Sequence, residues 1–223
     1  MILAVTGGKG GVGKSTVAFN LAAELDGVVV DADLGMADLP ASHGPDLHDV
    51  LAGRAGPLEA VRESGAVAIL PCGRWLAGAR AADPARLCDA VEAVERAYGT
   101  VVVDCPAGLR ADAGLPLVVA SACVVVTTPS EAAIADAMRA RELAREFDAG
   151  LVRVAVNRAG SNPPTARVAD LFGAPAVPIP DSERIERAQT SGQPVRSLAP
   201  AATRVVEQFE ALARAVHRVP RRS

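Results

Sequence analysis

The stretch "GGKGGVGKST", residues 7–16, holds both lysines of a 223-residue chain. The other 21 strong cations are arginines, the remainder of a Lys+Arg count of 23. A compositional drift toward arginine replaces lysine wherever the two residues do equivalent work, yet it stops at Lys9 and Lys14. Both positions therefore ask for a compact ammonium on a thin stem, which fits between phosphate oxygens as a point charge where a planar guanidinium fork does not.

Gly8, four residues, then Gly13-Lys14-Ser15 is the spacing of a phosphate-binding loop. It stands where that motif must stand, after the apolar run "ILAVT" at 2–6 and at the opening of a helical pattern at 15–25. The backbone of Gly8, Lys9, Gly10, Gly11, Val12 and Gly13 is expected to turn successive N–H groups toward phosphate oxygens, with the helix N-terminus adding its positive end. Lys14 neutralises the β- and γ-phosphate charge, Ser15 ligates Mg2+, and Thr16 sits near the α-phosphate.

Working outward from the loop, short β-branched runs recur at 27–33, 66–70, 100–106, 122–129, 151–157 and 175–180. Helical patterns lie between them at 83–97, 130–147 and 181–191, with a last one at 201–217 and weaker ones at 46–52 and 57–64. Segments 39–45, 160–164 and 192–200 read as connections, and there is no internal repeat. Such alternation predicts an α/β fold, a single domain over 1–217 with a mostly parallel twisted sheet covered by helices on both faces, followed by a short basic tail at 218–223. Ligands in this three-layer, Rossmann-like arrangement bind beyond the carboxyl ends of the strands.

Composition narrows the function. Half of the residues are hydrophobic but only 3% are aromatic, so the core has to be made of Val, Ala, Leu and Ile. A net charge of -3 argues against a strongly basic nucleic-acid binder. Cys72, Cys88, Cys105 and Cys123 stand 16 to 18 residues apart, without the short spacing of a metal knuckle, and read as reduced core residues. His43 and His48 read as loop histidines, since zinc would need further ligands that the sequence does not offer. No cationic, apolar leader opens the chain and no run approaches the ~20 residues of a membrane span, so a cytoplasmic location is expected, with peripheral contact to a membrane left open.

Lys9 is not required by the general phosphate-loop pattern, and with it "KGGVGKST" resembles the deviant phosphate loop of the MinD/ParA family of ATPases. The resemblance extends over nearly the whole chain. "VVVDADLGMADL" at 28–39 is similar to the family's second motif and first switch, "VVVDCPAGL" at 101–109 to its Walker B strand and second switch, and "AVNRAG" at 155–160 with 177–195 to its base-recognition and C-terminal segments. It implies ATP and Mg2+ as cofactors and slow, partner-stimulated hydrolysis of ATP. It also implies a homodimer in which Lys9 reaches the partner's nucleotide, with loops at 33–40 and 104–114 sensing the γ-phosphate.

Carried over residue by residue, the resemblance agrees with the chemistry. Asp104 ends a buried strand, where a carboxylate is costly unless it is paired or faces a metal shell, so it should hold a Mg2+-bound water. Asp31 and Asp33 stand two apart on an extended chain and should point the same way. Asp33 is the candidate for orienting the attacking water. Asp31 either supports the metal shell or is a solvated carboxylate at a strand end. Asn157 offers a donor and an acceptor together, which suits a base edge. Pro180 and Asp181 either complete the base pocket or form a turn with Asp181 as helix N-cap.

Members of the family act on membranes, DNA, the cell pole or metal-cluster assembly. A MinD-like role in placing a component such as the division machinery is preferred here. Val205, Phe209, Leu212 and Val216 make an apolar helix face that reads as core rather than as a membrane anchor, leaving Arg218, Arg221 and Arg222 solvated. A ParA-like role is second: Arg139, Arg141, Arg145, Arg153, Arg158 and Arg167 are plentiful but interleaved with acids, so nonspecific DNA binding is not favoured. The absence of cysteines from 106–116 argues against a metal cluster. A scaffold that binds nucleotide without hydrolysing it is the reading from another class. Trp75, the single tryptophan, reads equally as a partner anchor or as a loop plug.

Overall fold

Seven strands, β1 (Ile2–Thr6), β2 (Val28–Asp31), β3 (Ala68–Leu70), β4 (Val101–Asp104), β5 (Ala122–Thr127), β6 (Gly150–Ala159) and β7 (Ala176–Pro180), make one sheet in the order β3-β2-β4-β1-β5-β6-β7. All six pairings are parallel. The computed structural model describes residues 1–34, 39, 43–73, 76–108, 111–198 and 203–219. Side chains alternate between two apolar clusters, as the pleat requires. Leu3, Val5, Val29, Val102 and Val124 face one layer, while Ile2, Ala4, Val28, Val30, Val101, Val103 and Val125 face the other. Because both faces are covered, the strands read in sequence as continuous apolar runs rather than as a polar-apolar alternation.

The helices are α1 (Lys14–Glu24), α2 (Leu47–Leu51), α3 (Leu76–Ala81), α4 (Leu87–Tyr98, entered by a 3-10 turn at Pro84–Arg86) and α5 (Ala111–Val119). They continue with α6 (Glu131–Glu146), α7 (Thr165–Phe172), α8 (Glu183–Thr190), α9 (Val195–Leu198) and α10 (Arg204–Val216). Helix α1 packs against the sheet and α10, and residues 16–23 are buried throughout. The apolar face of α10 is core: Val205, Phe209, Leu212 and Val216 are all buried, in the same cluster as Leu21 and Val17 of α1. Helices α2, α4, α5, α6 and α7 contribute residues to the other layer.

Four short helices were not expected, and one expected helix is absent. Over 57–64 the chain makes a turn at 57–60, and then Arg62 pairs antiparallel with Ile69 through bonds of 2.7 and 2.9 Å. Strand β3 is a sheet edge with unpaired backbone groups, and covering them outweighs a weak local helical preference. Helix α5 occupies the end of the expected 104–114 switch loop; it carries Gly114 and Pro116 and has no regular polar face to announce it. Helices α3, α7 and α9 are four to eight residues long, too short for a periodicity to stand out. Trp75, Arg221 and Arg222 lie outside the described residues.

Since Phe209 is a fully buried side chain that ties α10 to α1, Phe209→Ala should lower the unfolding free energy by about 3–5 kcal/mol in urea titration. Glu210→Gln on the neighbouring, wetter face should change it by less than ~0.5 kcal/mol.

Candidate nucleotide-binding site

Between β1 and α1 the loop is squeezed at its root and open at its tip. A Cβ on Gly8 would stand 1.9 Å from the Asp136 carbonyl oxygen of α6, and one on Gly7 would stand 2.6 Å from that of Val126 in β5. At Gly11, where φ is +75°, nothing lies within 4 Å of the same position. Gly13 caps α1 in the left-handed conformation, φ 97° and ψ 29°, and offers no side chain to the first-turn N–H groups. That turn holds no acidic side chain either. An 11-residue helix whose leading donors lack a side-chain cap presents the positive end of its dipole to an anion.

The two lysines part company here. Lys14 is 7% exposed and lines the cleft beyond the loop, with Nζ donating to the Lys9 carbonyl at 3.5 Å. The Lys9 side chain is exposed at the loop tip and does not line that cleft.

The cleft, about 370 Å3, is within the range of small-molecule sites, roughly 300–1,000 Å3. Gly11, Gly13, Lys14, Ser15 and Thr16 meet Asn157, Pro180 and Asp181 around it, although the last three arrive from β6 and β7 at the far side of the sheet. Asn157 Nδ2 donates to the Val12 carbonyl at 2.9 Å, so this asparagine also braces the loop. Asp181 is not a helix cap: Ser182 holds that place on α8, accepting from the Arg184 N–H at 3.3 Å.

Sequence reasoning marked the segment 177–195 but did not name the residues of this other wall. Ser182, Ile185, Glu186 and Gln189 line the cleft from one face of α8, and their spacing of three, four and seven was the available signal. Gln189 Nε2 donates to Thr16 Oγ1 at 2.5 Å. Below it, Asn20 donates to the Thr16 carbonyl at 2.9 Å and accepts from Val195 N–H at 2.8 Å, tying the start of α1 to α9. Arg158, also missed, lines the cleft with φ +53° at the irregularity between β6 and β7.

Asp31 and Asp104 are register partners at the carboxyl ends of β2 and β4, and they are 0% and 1% exposed. Burial rules out the solvated strand-end reading of Asp31. Its Oδ1 accepts from Asp33 N–H at 3.3 Å and its Oδ2 from Leu39 N–H at 3.5 Å, so it holds the loop that follows at two points. Asp33 itself is half-buried, while residues 35–38 and 40 of that loop lie outside the described set. Cys105 is pushed well above the ordinary thiol range, first by complete burial and then by the Asp104 carboxylate, and so stays neutral. His48 is not a loop residue but a buried one on α2. Among the described residues, no three His, Cys, Asp or Glu side chains gather into a metal site of their own.

An uncapped helix N-terminus, a buried lysine, a serine beside it and two buried carboxylates on the next two strands of the sheet fit the phosphates and cation of a Mg-nucleotide. Mg2+ commonly keeps several waters and takes its remaining ligands from one or two protein groups and the phosphates, which suits Ser15 with aspartates acting through water.

Comparison with known proteins agrees with this construction. Residues 3–195 match the model of the CobQ/CobB/MinD/ParA nucleotide binding domain. The chain is 29% identical to an uncharacterised ATP-binding protein of Methanocaldococcus jannaschii, covering 92% of this chain and 84% of that one. It is 29% identical to the septum site-determining protein MinD of Synechocystis, covering 87% and 81%. Its fold matches that of MinD from Pyrococcus horikoshii, solved in complex with Mg-ADP, with a TM-score of 0.88 at 28% identity over 97% and 96% of the two chains. With the family domain matched over most of its length, on a sheet and phosphate loop of the family's kind, the chain belongs to the MinD/ParA family of P-loop ATPases.

Proposed function

We propose that this protein is a Mg2+-dependent ATPase whose cycle makes and breaks a homodimer, and that it places a cellular component, such as the division machinery, as a MinD-like switch. The division of labour between the lysines carries the reading. Lys14 is committed to the cleft of its own subunit, while Lys9 stands exposed outside it. Phosphoryl transfer is driven by positioning and by positive charge at the γ-phosphate. Two subunits packed loop to loop would each supply the other with the second cation, and loss of the γ-phosphate would release them.

Within one subunit, Lys14 and the α1 N–H groups hold the phosphates, and Ser15 with the nucleotide ligates Mg2+. Asp104 and Asp31 order its waters, and Asp33 orients the attacking one. Asn157, Pro180 and Asp181 bound the space for the base. Residues 1–217 then act as one ATPase unit, with turnover slow until an activating protein binds. The arginines support a MinD-like over a ParA-like surface: Arg139 pairs with Asp136, Arg141 and Arg145 with Glu142, and Arg167 with Glu131, so four of the six have acidic partners. Arg158 lines the cleft. Burial of the α10 apolar face favours weak or no membrane binding, and among the described residues no helix is long and apolar enough to cross a membrane. We place the switch in the cytoplasm.

Phosphate release from purified protein in Mg-ATP tests the reading. The wild type should turn over slowly, and Asp33→Ala should lose hydrolysis by about 100-fold or more while binding ATP within about threefold of wild type. Complete absence of release, with and without candidate activators, would replace the ATPase by a nucleotide-binding scaffold. Lys14→Ala should weaken ATP binding by roughly 10- to 100-fold in nucleotide titration. For Asp104→Asn the Mg2+ concentration giving half-maximal turnover should rise by about 10-fold or more.

A further inference from the structure

One buried titratable side chain has no part in the site described so far. His48, on α2, is 2% exposed, and its Nε2 lies 3.1 Å from the carbonyl oxygen of Leu34 and 3.5 Å from Cys72 Sγ. A carbonyl oxygen only accepts, so Nε2 carries the proton and donates it to Leu34, with the sulfur as a weak second acceptor. Burial first, then the carboxylates of Asp31, Asp46 and Asp33, push the Cys72 thiol up, so it stays neutral beside the ring. Among the described residues no hydrogen-bond partner reaches Nδ1. Backbone closes over that side: a Cβ on Gly73 would stand 2.2 Å from Nδ1, and one on Gly78 would stand 3.1 Å from it. The ring thus fills a slot that two glycines leave open, and its one strong donor is aimed at the loop that follows Asp33.

A leucine would fill such a slot without burying a polar nitrogen, so the histidine is explained by its donor. Leu34 is joined to Asp33 by a single peptide bond, and the N–H of Asp33 is held by Asp31 Oδ1 at 3.3 Å. Asp33 is therefore restrained at its own N–H by a carboxylate on β2 and, one residue further on, at the Leu34 carbonyl by an imidazole on α2. We infer that His48 is a positioning residue for ATP hydrolysis, holding the Leu34 carbonyl so that Asp33 meets the attacking water. This rests on the reading of Asp33 given above. No substrate contact is assigned to His48, so its removal acts on turnover and leaves ATP affinity in place.

Two variants of the full chain separate this role from simple packing. His48→Leu fills the slot without a donor, and His48→Gln returns a side-chain N–H close to where Nε2 stood. ATP affinity is read by fluorescent-nucleotide titration, turnover by phosphate release at saturating Mg-ATP, and loop order by amide hydrogen exchange at Asp33 and Leu39. His48→Leu should lower kcat about tenfold, the effect of losing one buried hydrogen bond, with affinity within about twofold and faster exchange at both amides. His48→Gln should recover most of kcat and of the protection. Wild-type turnover and exchange in His48→Leu would overturn the inference. A parallel fall of kcat, affinity and melting temperature that His48→Gln does not rescue would overturn it too. If the wild type releases no phosphate, the ATPase reading fails on its own account, and His48 falls with it as a positioning residue for hydrolysis. Exchange at Asp33 and Leu39 then still decides whether His48 holds the loop.

Discussion

The uncapped N-terminus of α1 is the constraint on which the rest depends. Helices ordinarily satisfy their leading N–H groups with a Ser, Thr, Asp or Asn side chain, as α6 does with Ser130 and α8 with Ser182. Here the cap is Gly13, left-handed and without a side chain, so the donors of the first turn are kept for a ligand. Water can satisfy such donors, as it can at the equally uncapped starts of α4, α7 and α10, but here a buried ammonium, that of Lys14, stands beside them and favours an anion. The loop can be this bare because its root is clamped. Gly7 and Gly8 let β5 and α6 press against it at distances that no side chain would allow.

The sheet converts that local feature into a site. With β1 central, its loop has β4 and β2 on one side and β5, β6 and β7 on the other. The carboxylates of Asp104 and Asp31 therefore arrive from one side, and Asn157, Pro180 and α8 from the other, all beyond the carboxyl ends of parallel strands. Bonds among the parts are as telling as their positions. Thr16 is held by both Gln189 and Asn20, and Asn20 also holds the start of α9, so the first turn of α1 is linked mechanically to the C-terminal third of the chain. On the opposite flank, Asp31 and His48 restrain the start of the loop that follows β2.

What was legible in the sequence was what local chemistry dictates. Glycine spacing and the survival of two lysines pointed to the loop, and runs of valine pointed to strands because burial on both faces removes any need for alternation. Asp104 was legible as a buried strand-end carboxylate for the same reason. Long-range geometry was not. Arg62 pairs with Ile69 because β3 is an exposed edge, a fact about strand order that no window of residues 57–64 contains. Gln189 meets Thr16 across 173 positions of sequence. Asp31 was legible as a strand-end carboxylate near Asp33, but its bonds to the amides of Asp33 and Leu39 were not, since only the folded loop supplies them. His48 looked like a loop histidine because nothing nearby in sequence announces the slot between Gly73 and Gly78.

The central claim is that Lys9 works on a neighbour's nucleotide. It is tested most directly by the solution molar mass of the Asp33→Ala variant, measured by light scattering after size exclusion in Mg-ATP and in Mg-ADP. The account predicts a dimer in ATP and a monomer in ADP, with the ATP dimer abolished when Lys9→Ala is added. A monomer in both nucleotides, with ATP binding demonstrated on the same sample, would contradict it.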